Sequence, residues 1–208
     1  TLNGAVVRIA EPLSIKPLLS LSALFSVDMA DKLVMTSADA QLLELTALIN
    51  ENGLTLDAKF DGINWQEHNE ITGIEDLQAR LFWQGKRGKM LLSANDTQLY
   101  SSYYFDRELY IDEFNAPIIF DFTDTAKIIV DNAIGNVDGL DISIASEYAI
   151  SNQFLSLAVN IDAFGISKVP TLLPDHLVDE GTNAFLKSAF TSTGKVKSAN
   201  LILVNSNL

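Results

Sequence analysis

Apolar and polar side chains alternate through most of this sequence, and that alternation limits the possible folds more than any other feature. In residues 54–60, polar or charged side chains separate Leu54, Leu56, Ala58 and Phe60. A period of two residues puts alternate side chains on opposite faces of an extended strand, whereas a helix would distribute them around its circumference. The segment therefore predicts a β-strand with one dry face and one wet face.

The same alternation recurs in five later segments. Their apolar positions are Leu77, Ala79, Leu81 and Trp83; Met90, Leu92 and Ala94; Ile118, Phe120 and Phe122; Leu140, Ile142 and Ile144; and Leu155, Leu157, Val159 and Ile161. Residues typical of turns lie around them, at Asn52-Gly53, Asp61-Gly62, Gly85 with Gly88, Gly135-Asn136, Asp138-Gly139 and Ser151-Asn152. Strands joined by short turns predict an antiparallel meander.

Two segments depart from this pattern and predict short helices. The first covers residues 28–36 and is capped by Asp28. The second begins after Asp179 or Thr182, ends near Gly194 and carries an apolar stripe formed by Phe185, Leu186, Ala189 and Phe190. A further strand is expected from Ala199 to the last residue, so we expect the chain to be a piece of a longer protein whose sheet continues.

Length and charge exclude several classes of protein. A chain of 208 residues predicts a single domain over residues 1–208. Its net charge of -13, with 14 scattered basic residues, argues against a nucleic-acid partner, because phosphate binding needs clustered Lys and Arg. There is no cysteine, which excludes disulfides and thiolate-bound metals. No signal peptide or transmembrane helix is evident in the sequence.

No pattern predicts catalysis, a metal or a cofactor. His68 and His176 are the two histidines, and neither has neighbours at metal-ligand spacing. The carboxylates of Asp106, Glu108, Asp112 and Glu113 are interpreted as a solvated face, and the tyrosines of residues 99–105 as strand residues. An acidic, glycine-containing stretch, residues 131–141, lacks the ligand order of an EF-hand. We therefore predict that the chain is not an enzyme.

The predicted strands have more apolar surface than the predicted helices could cover. Seven or more strands have an apolar face, yet only about two short helices are predicted. Either two sheets pack face to face as a sandwich, or one sheet curls and something else covers its apolar face. The strand pattern by itself leaves both arrangements open.

Several segments in order resemble one family. The end of the chain has a Leu-Pro, a short helix with an aromatic-Leu pair and a small residue, then Gly, Val and a strand: Leu173-Pro174, Phe185-Leu186, Ala189, Gly194, Val196 and Ala199-Asn200-Leu201. Upstream, residues 53–66, 81–99 and 105–120 resemble other strand and turn patterns of the same family, and they follow one another in the same order. Together these elements resemble the YhdP-type members of the AsmA-like proteins of the Gram-negative envelope, relatives of TamB and YdbH.

That resemblance implies a fold, a location and a function. It implies an internal fragment of a long periplasmic protein tethered to the inner membrane by a helix outside this chain. It also implies a mainly β fold, a curved antiparallel sheet shaped as a taco-like groove or half-barrel with one or two short helices. Such a groove carries phospholipid between the inner and outer membranes, with acyl chains against its apolar side and without catalysis. Unpaired strands at the edges of such a fragment predict self-association.

The alternation and the resemblance together predict which residues line the groove. They are Leu54, Leu56, Phe60, Leu81, Leu92, Phe120, Phe122, Ile142, Ile144, Leu155 and Leu157. A helix at the end of the groove is expected to contribute Phe185, Leu186 and Phe190. The alternative hypothesis is a β-sandwich binding or adhesion module that recognises carbohydrate or protein, in which these residues would form an ordinary closed core.

Overall fold

A computed structural model gives the fold over most of the chain. It describes residues 4–16, 37–51, 53–69, 71–103, 105, 107–169, 179–190 and 193–205. The helix predicted over residues 28–36 lies outside these ranges, as do His176 and the Leu173-Pro174 pair. In the described part of the chain, no helix is long and apolar enough to cross a membrane.

Thirteen strands and one α-helix follow in order along the described residues. The strands are β1 (Gly4–Ile9), β2 (Leu13–Ser14), β3 (Asp39–Asn50), β4 (Gly53–Trp65), β5 (Gly73–Gln84), β6 (Arg87–Tyr100), β7 (Leu109–Asp121), β8 (Lys127–Val137), β9 (Leu140–Ala149), β10 (Phe154–Ile161), β11 (Phe164–Gly165), β12 (Lys195–Val196) and β13 (Ala199–Asn205). The helix α1 spans Glu180–Ala189, and short 3₁₀ helices follow β9 and β11.

Eleven of these strands form one antiparallel sheet in the order β1-β3-β4-β5-β6-β7-β8-β9-β10-β13, with β2 also paired to β3. The remaining two, β11 and β12, pair with each other. The large sheet is not closed into a barrel, which confirms the predicted mainly β, antiparallel fold. The sandwich alternative is wrong in its architecture, because the described strands form one large sheet and a two-residue ribbon instead of two facing sheets.

Two of the predicted turns are bulges inside long strands. Gly62 lies within β4, and its φ of 56° marks a shift of register between Phe60 and Ile63. Gly135 lies within β8, where a Cβ would be 2.5 Å from the carbonyl oxygen of Glu113. Gly62 therefore allows a bulge, and Gly135 allows the neighbouring backbone to come close. Glycine permits both as readily as it permits a turn.

The predicted helix at the end of the chain is confirmed, and Asp179 is its N-cap. The Thr182 amide donates to Asp179 Oδ1 at 2.9 Å, and the Thr182 hydroxyl donates to Oδ2 at 2.6 Å. These bonds satisfy a backbone donor that the first turn leaves without a helical partner. The helix ends at Ala189, a few residues before Gly194.

The best-buried side chains lie in the middle of the sheet. Ile74, Leu77, Ala94 and Ile111 form a cluster across β5, β6 and β7, against which residues such as Trp65 and Phe114 pack. All of these come from one side of the sheet, as the pairing register below shows. The core therefore lies on a single face.

Candidate functional site

The pairing register places the predicted lining residues on one face of the sheet. Residues directly opposite each other in a ladder share a face, so each pair can be followed to the next strand. Leu56 pairs with Trp83, Trp83 with Gly88, Gly88 with Phe120, and Phe120 onward to Ile128. The same procedure joins the other predicted strand residues, which are Leu54, Phe60, Leu81, Leu92, Ile142, Ile144, Leu155 and Leu157. We call this surface the apolar face.

The apolar face is continuous and carries no charged residue in its ladder positions. One row of paired residues crosses all ten strands of the main path: Ile9, Leu45, Ala58, Leu81, Met90, Ile118, Val130, Ser146, Leu157 and Leu203. The neighbouring rows are of the same kind, with Thr97, Tyr148 and Asn205 as their most polar members. Only apolar or neutral groups therefore face this side of the described strands.

Burial across this face indicates a concave shape. Three of its central alanines, Ala58, Ala94 and Ala133, are almost completely buried. Their large neighbours stay half-buried, and Leu54 is 38% exposed. Small residues at the bottom of a curved sheet are covered by larger ones that lean inward, whereas on a flat sheet they would be open to water. The large side chains thus line an open surface instead of filling a closed core.

The opposite face carries the charges, and we call it the outer face. Arg80 forms a salt bridge with Asp57 at 3.0 Å and lies over the ring of Phe82, 4.7 Å from its centroid. Lys127 pairs with Glu147 at 2.8 Å. Both ion pairs join neighbouring strands, and both are exposed, so each contributes at most about 1 kcal/mol. This side is the wet face that the alternation predicts.

An aromatic cluster forms one end of the apolar face. The Trp83 ring centroid lies 5.9 Å from that of Phe120 and 5.7 Å from that of Phe122. Phe122 follows β7 directly, and these ring contacts place it with the other predicted lining residues. The Trp83 indole N–H donates to the Gly85 carbonyl at 2.8 Å, which fixes the ring. Tilted rings at these distances attract each other through their quadrupoles.

The terminal helix carries the aromatic residues expected at the groove end. Phe185 is 64% exposed, and Phe190 is half-buried. The side chain of Leu186 lies outside the described part of the helix. A ring as open as that of Phe185 buries little surface against any neighbour. The contribution of Phe185, Leu186 and Phe190 to the end of the groove therefore stays a prediction.

Three strands of the apolar face, β1, β3 and β8, were not predicted from the sequence. In β8, Ile128, Ile129 and Val130 are consecutive apolar residues, and only the pairing shows that Ile129 belongs to the outer face, opposite Ile119. In β3, a bulge between Leu42 and Glu44 interrupts the alternation. After a bulge, the residues on the apolar face change from even to odd numbers or from odd to even. A search for a strict period of two therefore detects neither β3 nor β8.

A cavity of about 750 Å³ opens at the end of the sheet where the β4–β5 and β6–β7 loops meet. We call it the loop-end cavity. Its wall includes Trp65, Glu67, Glu75, Tyr100, Ser101 and Glu108. Trp65 also packs against the buried cluster of the apolar face, and its indole N–H donates to the Thr72 carbonyl at 2.6 Å. The cavity thus adjoins the apolar face through this ring.

The clustered carboxylates Glu108, Asp112 and Glu113 are exposed, and Asp106 lies outside the described residues. Across the described residues, no group of three or more His, Cys, Asp or Glu side chains is placed to hold a metal ion. Asp121 accepts bonds from Thr123, and Asp138 pairs with Arg107. Asp141 accepts from Asn136 at 2.7 Å. Within the described ranges, these carboxylates have structural partners on the surface.

Comparisons with protein-family models, curated proteins and solved structures gave no match to this chain.

Proposed function

We propose that this chain is a segment of a lipid-transfer conduit in which phospholipid acyl chains lie on the apolar face while their head groups remain in water. The observation that carries this proposal is the continuous, charge-free and open face that crosses ten paired strands. Large exposed apolar surfaces are rare on soluble proteins unless they bind something. Acyl chains suit this surface because they need neither hydrogen bonds nor charges from it.

The dimensions of the apolar face also support the proposal. Nine steps between ten paired strands, at about 4.8 Å each, give a path of ~43 Å across the sheet. The hydrocarbon core of a bilayer is ~30 Å thick and contains two acyl chains end to end. The face is thus long enough for more than one acyl chain in sequence. Each methylene that leaves water for it gains about 0.8 kcal/mol.

The proposed transfer needs no chemical step. Lipid would move along a surface of nearly uniform apolar character, so neighbouring positions differ little in free energy and the barriers between them are low. The resemblance to AsmA-like proteins supports a periplasmic location, a tether to the inner membrane outside this chain and transport of phospholipid between the two membranes. The acidic outer face would keep such a trough soluble.

Two adjacent isoleucines provide a matched test. Ile128 lies on the apolar face opposite Phe120, whereas Ile129 lies on the outer face opposite Ile119, and both are half-buried. An aspartate at either position adds the same charge to the same strand. We expect Ile128→Asp to lose most of the phospholipid that co-purifies with the wild-type protein and Ile129→Asp to retain it.

The measurement is native mass spectrometry combined with lipid extraction, and circular dichroism establishes that both variants are folded. The proposal would be overturned if the wild-type protein neither co-purified with phospholipid nor bound phospholipid that was added to it. An equal loss of lipid in two folded variants would do the same, because it would show that the side of the sheet does not matter.

A further inference from the structure

The loop-end cavity combines aromatic walls with carboxylates that form no salt bridge among the described residues. Trp65, Tyr100 and Phe105 contribute rings to its lining. Glu75 and Glu108 are exposed, and neither forms a salt bridge with a residue of the described ranges. Rings attract cations through their negative faces, and carboxylates attract them directly. The wall is therefore suited to a positively charged organic group.

The other charged groups of the cavity are already paired. The Ser102 amide donates to Glu67 Oε2, and the Ser102 hydroxyl donates to Oε1, both at 2.8 Å. Arg107 forms a salt bridge with Asp138, so its positive charge is compensated. The net charge that remains on this wall is negative, and it comes from Glu67, Glu75 and Glu108. An anionic ligand would thus meet repulsion from this wall.

An unpaired hydroxyl gives a second indication of a ligand. Ser101 lines the cavity although the residue is only 6% exposed. Its side chain has no hydrogen bond to any residue of the described part of the chain, so its hydroxyl is available to a ligand in the cavity. A hydroxyl can accept a hydrogen bond from an ammonium group.

The position of the tyrosine fits the same picture. Burial, followed by the charges of Glu75 and Glu108, raises the pKa of Tyr100. Both carboxylates therefore act electrostatically on one phenol at the cavity wall. A metal ion is a poor alternative, since no metal-binding group of side chains occurs among the described residues and half of this wall is apolar.

We propose that the loop-end cavity binds the ammonium group of an amine-headed amphiphile whose acyl chains lie on the adjoining apolar face. This inference rests on the proposed lipid-carrying function. Trp65 lies in both surfaces, so one lipid can place its acyl chains on the apolar face and its ammonium group in the cavity. It adds a preference for ethanolamine or choline head groups over glycerol head groups. A conduit with such a site would hold amine-headed lipids longer at this end of the sheet.

The test compares three ligands by isothermal titration of the intact chain. They are dihexanoyl phosphatidylethanolamine, dihexanoyl phosphatidylglycerol, and phosphoethanolamine without acyl chains. We expect the ethanolamine lipid to bind about fivefold more tightly than the glycerol lipid, as one partly exposed cation site provides. Phosphoethanolamine alone should bind more weakly than either lipid.

In the double variant Glu75→Gln/Glu108→Gln, the ethanolamine lipid should bind more weakly and the anionic glycerol lipid, no longer repelled, should bind more tightly, so that the difference in affinity between them is lost. Its control is Glu51→Gln/Asp124→Asn, which removes the same charge from exposed turns at the opposite end of the sheet. Thermal unfolding should be the same for both variants because all four residues are exposed.

The outcomes separate the two proposals. Equal affinities for the two lipids in the wild-type chain would overturn the ammonium site and leave the conduit in place. Absence of binding by both lipids would overturn the conduit. If phosphoethanolamine binds as tightly as the ethanolamine lipid, the cavity binds an ammonium group, but the acyl chains add nothing to the affinity. That result would overturn the link to the apolar face and indicate a free amine as the ligand.

Discussion

The indole ring of Trp83 occupies the space that a side chain on Gly88, its partner on the neighbouring strand, would fill. A Cβ on residue 88 would lie 2.3 Å from Trp83 Cε3, far inside van der Waals contact. The glycine thereby lets the ring lie against β6 and meet Phe120 and Phe122. One small residue thus determines the position of the whole aromatic cluster.

Gly88→Ala should therefore displace the indole and lower the free energy of unfolding by about 1–3 kcal/mol, as overpacking does. Chemical denaturation followed by tryptophan fluorescence measures this change. The control is Gly165→Ala, where φ is -68° and the nearest neighbour of a Cβ lies at 3.7 Å. In a Trp83→Leu background the cost of Gly88→Ala should shrink. A cost that stays the same there would contradict the proposed contact.

The carboxylate of Glu67 should titrate below its usual range. The backbone N–H of Ser102, followed by its hydroxyl, lowers the pKa of Glu67. A lowered folded-state pKa means that this group stabilises the fold above its unfolded value of about 4.3, and that the contribution is lost as pH falls through the folded pKa.

Ser102→Ala removes the hydroxyl but keeps the amide, so the pKa of Glu67 should rise only part of the way to its ordinary value. A carbon-detected NMR titration of the carboxyl group measures it. Ser156→Ala on the outer face of β10 serves as the control. An unchanged pKa in Ser102→Ala would show that the hydroxyl does not contribute.

The N-cap of α1 predicts a pH-dependent helix end. The Thr182 hydroxyl, followed by its amide, lowers the pKa of Asp179. The cap is thus at full strength above about pH 3.9 and weakens as pH falls through the lower folded pKa. Asp179→Asn keeps an acceptor without a titrating charge.

We expect amide hydrogen exchange at Thr182 to accelerate on acidification in the wild-type chain, beyond the intrinsic effect of pH. In Asp179→Asn this extra acceleration should disappear, whereas in Asp179→Ala exchange should be fast at every pH. Identical protection in the wild type and Asp179→Ala would mean that the cap does not hold the first turn.

Among the described strands, β13 lies at an edge of the large sheet, and it should promote self-association. Four consecutive apolar residues, Leu201, Ile202, Leu203 and Val204, are exposed on both of its faces, and Ile202 is 75% exposed. The strand has no Lys, Pro or bulge to discourage pairing with another chain. We propose that two copies pair through this edge.

Ile202→Lys should shift the chain towards monomer in analytical ultracentrifugation. Ala145→Lys adds the same charge to the outer face of β9, away from the edge, and should leave association unchanged. A wild-type chain that stays monomeric at high concentration, or two variants that behave alike, would contradict edge pairing.

Part of this architecture can be predicted from the sequence, because alternate residues of a strand point to opposite faces of the sheet. The alternation at residues 54–60 and at residues 140–144 predicts which side chains share a face without any knowledge of neighbours. Parity fails at bulges. Asp61-Gly62 and Gly135-Asn136 have the residue types of turns, and only the pairing partners show that the strands continue through them.

What the sequence determined by itself is the alternation, and with it an antiparallel β fold with one apolar side and a short terminal helix. What only the tertiary structure decided is how the strands add up: one open sheet instead of two facing ones, an open apolar face, and a cavity beside Trp65. Local periodicity reports on a few residues at a time, whereas closure, curvature and cavities depend on pairs that lie far apart in the chain.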